Sequence, residues 1–127
     1  MTVEEVIRRT DEIRPDNAFS SEQKLNWVAE LEGRLLADVL LLTPEEIEAE
    51  KIVFSEEGMG RELTAPWPHD TLYILWLMAR MDEANGEYDR YQNSMQVFNV
   101  SWDGFVRWYL AKKDRAEREA LRGGVLR

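Results

Sequence analysis

The residues best suited to chemistry in this chain are carboxylates, and their spacing is what decides the matter. Glu45, Glu46, Glu48 and Glu50 cluster within six positions. All-helical nucleotide pyrophosphohydrolases hold Mg²⁺ with EExxE on one helix and ExxD on the next. Here the acid that follows Glu46 stands two or four residues on, not three. Asp82 and Glu83 are isolated, and Glu87 with Asp89 is followed by Arg90. A carboxylate-metal nucleotide hydrolase is therefore the weakest functional reading, and a solvated acidic face explains the same residues. His69 is the single histidine and there is no cysteine, so a zinc site would lack its usual ligands. An exposed position at a helix start accounts for His69. Ser20, Ser21, Ser94 and Ser101 have no base arranged for nucleophilic catalysis. Gly58 and Gly60 lack the Lys-Ser/Thr pair of a phosphate loop. No catalytic residue, metal ligand or cofactor is expected.

The elements that carry these residues read as helices. Tyr88, Tyr91, Met95, Phe98, Trp102, Phe105 and Tyr109 alternate at three and four residues, which places them on one stripe of a single helix. No proline interrupts the run, and Gly104 costs only about 1 kcal/mol against alanine. The spacing predicts a helix of about 25 residues, to about Lys113, whose aromatic face must be buried. The tail beyond it favours helix as well, until Gly123-Gly124 stops it.

Upstream, Thr2 with Glu5 and Ser20 with Gln23 read as capping boxes. They open a first helix that bears Val3, Val6, Ile7 and Ile13 and ends at Pro15, and a second that reaches about Leu42. Val39-Leu40-Leu41-Leu42 is apolar all round, so that end is expected to be buried on several sides. Thr43-Pro44 starts a brief helix to about Glu50. Ile52-Val53-Phe54 and Glu62-Leu63-Thr64 read as short extended pieces around a turn at residues 55–60. Pro66-Trp67-Pro68 is stiff and non-helical. A central helix with Asp70 as its cap runs from Leu72 past Met81, apolar nearly all round, and Asn85-Gly86 closes it. The fold class is thus all-α, a small bundle of four main helices with an irregular insertion between helices two and three. Residues 1–113 form the helical domain and residues 114–127 a basic C-terminal tail.

Composition bounds the rest. With 127 residues, 44% apolar and 32% charged, the chain has the make-up of one soluble domain. MTVEEVIRR lacks the apolar core of a signal peptide, and no apolar run is long enough to span a bilayer. The formal charge of −9 is unevenly spread. Residues 112–127 hold six bases (Lys112, Lys113, Arg115, Arg118, Arg122, Arg127) and three acids, so the tail carries +3 and the remainder −12. Residues 43–70 hold eight acids and two bases. An acidic body disfavours tight binding to a nucleic-acid backbone. A basic tail on such a body suits contacts between copies or with an acidic partner, and equally suits a solvated, fraying end. Of the five tryptophans, Trp27, Trp76 and Trp102 read as core. Trp67 and Trp108 are open to either an interface role or internal packing. The candidate partner-facing residues are Phe54, Leu63, Trp67, Trp108, Lys112, Lys113, Arg115, Arg118 and Arg122.

Several blocks resemble the small head–tail connector proteins of long-tailed phages and prophages. They are Thr2-Val3-Glu4-Glu5-Val6-Ile7; Ile13-Arg14-Pro15-Asp16-Asn17-Ala18-Phe19-Ser20; Lys24-Leu25-Asn26-Trp27 with Glu30-Leu31-Glu32-Gly33; Asp70-Thr71-Leu72-Tyr73; residues 81–94; and Phe98-Asn99 with Phe105 and Trp108-Tyr109. The similarity covers roughly residues 2–110, and residues 84–94 are its most specific part. Residues 43–60 depart from the pattern, and the basic tail is longer. The resemblance implies a non-enzymatic adaptor of the virion neck, present in the host cytoplasm during assembly. It implies a self-assembled ring, typically of about a dozen copies, between the portal and a downstream neck or tail-completion protein. DNA passes through the lumen without sequence-specific binding, and no membrane is involved. A generic helical interaction or regulatory module of prophage origin is the alternative.

Overall fold

Helix boundaries follow from local chemistry at most ends. A computed structural model describes residues 1–125. Arg127, counted in the basic tail, lies outside them. Helix α1 (Val3–Ile13) starts where the Thr2 side chain accepts the Glu5 N–H, and α2 (Ser21–Asp38) where Ser20 accepts the Gln23 N–H. Helix α3 (Pro44–Ala49) opens with a complete capping box, Thr43 and Glu46 each bonding the other's backbone, and has proline in its first turn. Helix α4 (Glu56–Met59) is one turn, capped by Ser55. Helix α5 (Thr71–Ala84) ends at Asn85, and Gly86 takes the left-handed φ of 72° that reverses the chain. Helix α6 (Tyr88–Val125) follows at once. The fold is all-α, with α1, α2, α5 and α6 as the main helices.

The core is organised around α5. Leu72, Tyr73, Ile74, Trp76, Leu77, Ala79 and Met81 are all buried, on every side of this helix. A helix apolar all round needs neighbours all round. It packs antiparallel along α6 and also touches α1 and α2. Val3, Val6 and Ile7 of α1 and Leu25, Val28, Leu31 and Leu35 of α2 complete the core. From α6 come Phe98 and Phe105, at 5% and 1% exposure, the most deeply set members of the aromatic stripe. Met95, Trp102 and Tyr109 pack half-buried against them.

Several expectations are corrected. Helix α2 stops at Asp38, short of Leu42. The Leu40 and Leu42 N–H groups turn back to the Leu35 and Leu36 carbonyls, and Leu41 takes a left-handed φ of 57°. That reversal throws Leu41 outward, 70% exposed, so the apolar run is not buried all round. Ile13 also faces solvent, because α1 ends on it. Tyr88 leaves the aromatic stripe at 66% exposure, since it starts α6 beyond the end of α5. The extended pieces do not form strands. Residues 56–59 are helical, and the 61–63 segment instead pairs with the start of the chain through a single bridge from Thr2 to Glu62. Asp70 makes no side-chain cap bond; its backbone is already helical, continuing the turn through residues 66–69. Gly123-Gly124 does not stop α6, which continues to Val125 and crosses residue 113 without a break.

The lengths of α5 and α6 do not match. At 1.5 Å per residue α6 is about 57 Å long and α5 about 21 Å. Residues 110–123 are exposed throughout, on a helix that extends past the bundle. The aromatic stripe makes a direct prediction. Phe105→Ala destabilises the chain by about 3–5 kcal/mol, the cost of emptying a packed aromatic site. Val100→Ala, on the opposite side of the same helix at 72% exposure, changes stability by no more than about 0.5 kcal/mol. Urea unfolding of the two variants checks this.

Candidate functional site

Two buried acids fix the parts of the molecule that α5 alone does not. Glu32 is 1% exposed. It has no ion-pair partner among the described residues and is held by hydrogen bonds alone. The Tyr73 hydroxyl donates to Oε1 at 2.8 Å, and the Thr64 backbone N–H and hydroxyl both donate to Oε2 at 3.0 Å. The Ala65 N–H in turn donates to the Tyr73 hydroxyl at 3.0 Å. Burial, and next the Glu32 charge, push the Tyr73 hydroxyl's pKa up, so it stays protonated and remains a donor. These four bonds tie the irregular connection at residues 64–65 to α2 and α5.

Asp82 sits at the other end of α5, its side chain fully buried. Arg14 grips it with two nitrogens at 2.7 and 3.3 Å, Ser94 donates at 2.7 Å, and the Arg90 guanidinium lies 3.7 Å away. Burial by itself raises its pKa. The hydrogen bonds from Arg14 and Ser94, and the charges of Arg14 and Arg90, outweigh burial and hold the carboxyl below the usual range. This cluster joins the end of α1, the end of α5 and the start of α6. Sequence reasoning treated Asp82 as isolated, because its main partner is 68 positions away. Beside it, Lys24 pairs with Asp11 at 2.7 Å and Asn17 bonds the same carboxylate at 2.9 Å.

The carboxylates considered for metal chemistry are otherwise engaged or dispersed. Glu46 closes the α3 capping box, Glu50 pairs with Arg61, and Glu83 pairs with Arg80 at 3.1 Å. No group of three or more His, Asp or Glu side chains among the described residues converges to hold a metal ion. His69 is half-buried rather than exposed. Its ring lies 5.1 Å from Trp108 and 5.9 Å from Phe105.

The candidate partner-facing residues divide into three groups. Leu63, at 6% exposure, belongs to the core, because the 61–63 segment folds back on the chain start; this corrects its assignment to an interface. Trp108 is packed on His69 and Phe105 at its inner edge and carries the Lys112 ammonium 5.2 Å from its ring, so internal packing accounts for much of it. Phe54 and Trp67, 56% and 83% exposed, present large apolar side chains to solvent. Lys112, Lys113, Arg115, Arg118 and Arg122 all lie on the exposed part of α6; Arg118 makes one ion pair, with Asp114 at 3.0 Å.

A second exposed feature lies between α2 and α3, a groove of about 400 Å³. Ala29, Gly33, Leu36, Ile47 and Ile52 give it its apolar lining, with Asn26, Glu30, Glu32, Glu48, Glu50 and Lys51 as the polar residues around it. Sequence reasoning did not find it, since its two walls come from separate helices. No helix among the described residues is long and apolar enough to cross a membrane. No protein-family model, curated protein or solved structure matches the chain.

Two predictions come from the buried acids. Tyr73→Phe removes one donor to Glu32 and the acceptor for the Ala65 N–H, and lowers stability by about 1–3 kcal/mol in urea unfolding. Tyr88→Phe, on an exposed ring, stays within about 0.5 kcal/mol. The depressed pKa of Asp82 means that its contribution is present above the unfolded carboxyl value of about 3.9 and disappears as pH falls through the folded value. Asp82→Asn is therefore less stable than the parent at pH 7, and the gap narrows as the medium is acidified. A gap that is independent of pH contradicts the assignment.

Proposed function

We propose that this chain is a structural head–tail connector, a non-enzymatic adaptor whose copies form a ring between a phage portal and the next neck or tail component. The single observation that carries the reading is the overhang of α6. A helix more than twice as long as its partner leaves a basic, exposed segment that no other described residue covers. The overhang continues a nucleated helix but has no packing of its own among the described residues, so any tertiary support for it comes from a surface outside the subunit. The resemblance in sequence supports the same reading from a different direction. Arg14, Asp82, Arg90 and Ser94 all fall within its quoted blocks. Their convergence gives those blocks a physical reason, the locking of α1 and α6 to the end of α5.

In this reading the subunit acts by shape. The α5–α6 hairpin is the rigid strut, and the acidic body favours a lumen along which DNA phosphates slide without adhering. Phe54 and Trp67 serve as apolar anchors for neighbouring components. The basic part of α6 meets an acidic surface, on the portal or on another copy. Capsids assembled without this protein are expected to package DNA, then leak it and fail to attach tails when imaged as single particles. Filled, tailed particles made in its absence contradict the assignment.

A further inference from the structure

Three glycines inside long helices, Gly33, Gly104 and Gly123, have open space around them among the described residues, and the first two stand well away from a helix end. Gly33 lies in α2 and Gly104 in α6, and a Cβ built on either meets nothing within 4 Å. Neither needs a positive φ. A mid-helix glycine weakens a helix relative to alanine, so it calls for a reason such as close approach of another backbone. Gly33 lines the apolar groove between α2 and α3.

Gly104 belongs to a second stripe on α6, opposite the aromatic one. Val97, Val100, Gly104, Arg115, Arg118 and Arg122 keep a three–four register, with Arg107 and Ala111 filling the positions between. Val97 and Val100 are 53% and 72% exposed, and the three later arginines are exposed too. The stripe is thus apolar or small at Val97, Val100, Gly104 and Ala111, and basic at Arg107 and, towards its end, at Arg115, Arg118 and Arg122. The groove has matching parts. Its apolar residues are flanked by Glu30, Glu48, Glu50 and one base, Lys51, and α3 beside it is Pro44-Glu45-Glu46-Ile47-Glu48-Ala49, three acids with no base. Glu45, Glu46 and Glu48 have no ion-pair partner among the described residues.

We infer that the outer stripe of α6 seats in the α2–α3 groove of a second copy of this chain. Gly104 passes over Gly33, and Arg115, Arg118 and Arg122 reach the acids of α3. Charge complementarity selects the occupant, since a positive stripe and a negative rim are carried by the same chain. The contact is heterologous, head to tail, because the two surfaces differ; repeated around an axis it closes a ring. The inference rests on the connector reading and names the subunit contact within it.

The absence of cysteine allows a direct test. On mild oxidation of concentrated full-length protein, the Gly33→Cys/Gly104→Cys double variant is expected to give a ladder of covalent oligomers, while each single variant gives none beyond a dimer. Gly33→Gln fills the groove, and is expected to weaken self-association about tenfold or more in sedimentation, with the thermal midpoint unchanged or raised. Glu48→Lys has the same effect, and salt weakens the parent's association. Oligomers that form equally well in Gly33→Gln and show no 33–104 link overturn the contact and leave the ring reading standing. A chain that remains monomeric throughout overturns the contact, and the capsid experiment then decides the ring by itself. If Arg115→Glu/Arg118→Glu loses duplex DNA retention but keeps its self-association, the stripe faces DNA and the contact is again overturned.

Discussion

Helix α5 is apolar on every side, and the rest of the molecule is arranged to keep it out of water. Fourteen residues carry Leu72, Tyr73, Ile74, Trp76, Leu77 and Met81 around the full circumference. No single neighbour can cover such a surface, so α1, α2 and α6 are all drawn onto it. Two buried carboxylates on or against α5, Glu32 and Asp82, are each held by a set of hydrogen bonds. Tyr73 reaches Glu32 and holds the connection at residues 64–65, and Asp82 is gripped by Arg14 and Ser94. A buried carboxylate left unpaired costs far more than one that is satisfied, so each set also specifies which elements meet. Glu32 locates the irregular connection, and Asp82 locates α1 and the start of α6.

The same constraint explains why α6 is the element with function to spare. Only as much of it as α5 can cover is needed for folding, and Phe98 and Phe105 lie in that part. Beyond Tyr109 the aromatic stripe gives way to charged and small residues, and exposure is continuous. The helix therefore divides by what it faces, not by a break in its backbone. The proposed assembly role rests on this rigid hairpin and its uncovered, basic extension. Arg34 and Arg80, whose guanidinium groups lie 5.4 and 5.5 Å from the Trp76 ring, show how the bundle's polar exterior is itself stacked onto its aromatic core.

Much of this was legible in the sequence, and the boundary of legibility is physical. Local signals worked. Thr43-Pro44 started a helix, Gly86 reversed the chain, and the all-round apolar character of α5 marked the centre. Pairings across the fold did not show, because residue spacing carries no record of a partner 41 or 68 positions away. A hint was present in each case. Glu32 falls on the face of α2 shared by Leu25, Val28, Leu31 and Leu35, and Asp82 lies in the last turn of α5, a helix apolar nearly all round; an acid in either place signals a partner within the core. Leu41 was misread for the opposite reason. Nothing in Val39-Leu40-Leu41-Leu42 announces a helix end, and leucine is a poor residue for the left-handed turn it makes. Leu63 was read as interface because its segment looked irregular, whereas backbone bonds from Val3 to Arg61 and from Leu63 to Met1 fold that segment onto the core.

The account stands or falls on whether the far part of α6 depends on something outside the subunit. Amide hydrogen exchange measures this directly, peptide by peptide. In the lone chain, α5 is expected to exchange slowly and residues 110–123 quickly; on assembly, those same residues become protected while α5 is unchanged. Slow exchange across residues 110–123 in the lone chain, or fast exchange that persists in the assembled state, contradicts it.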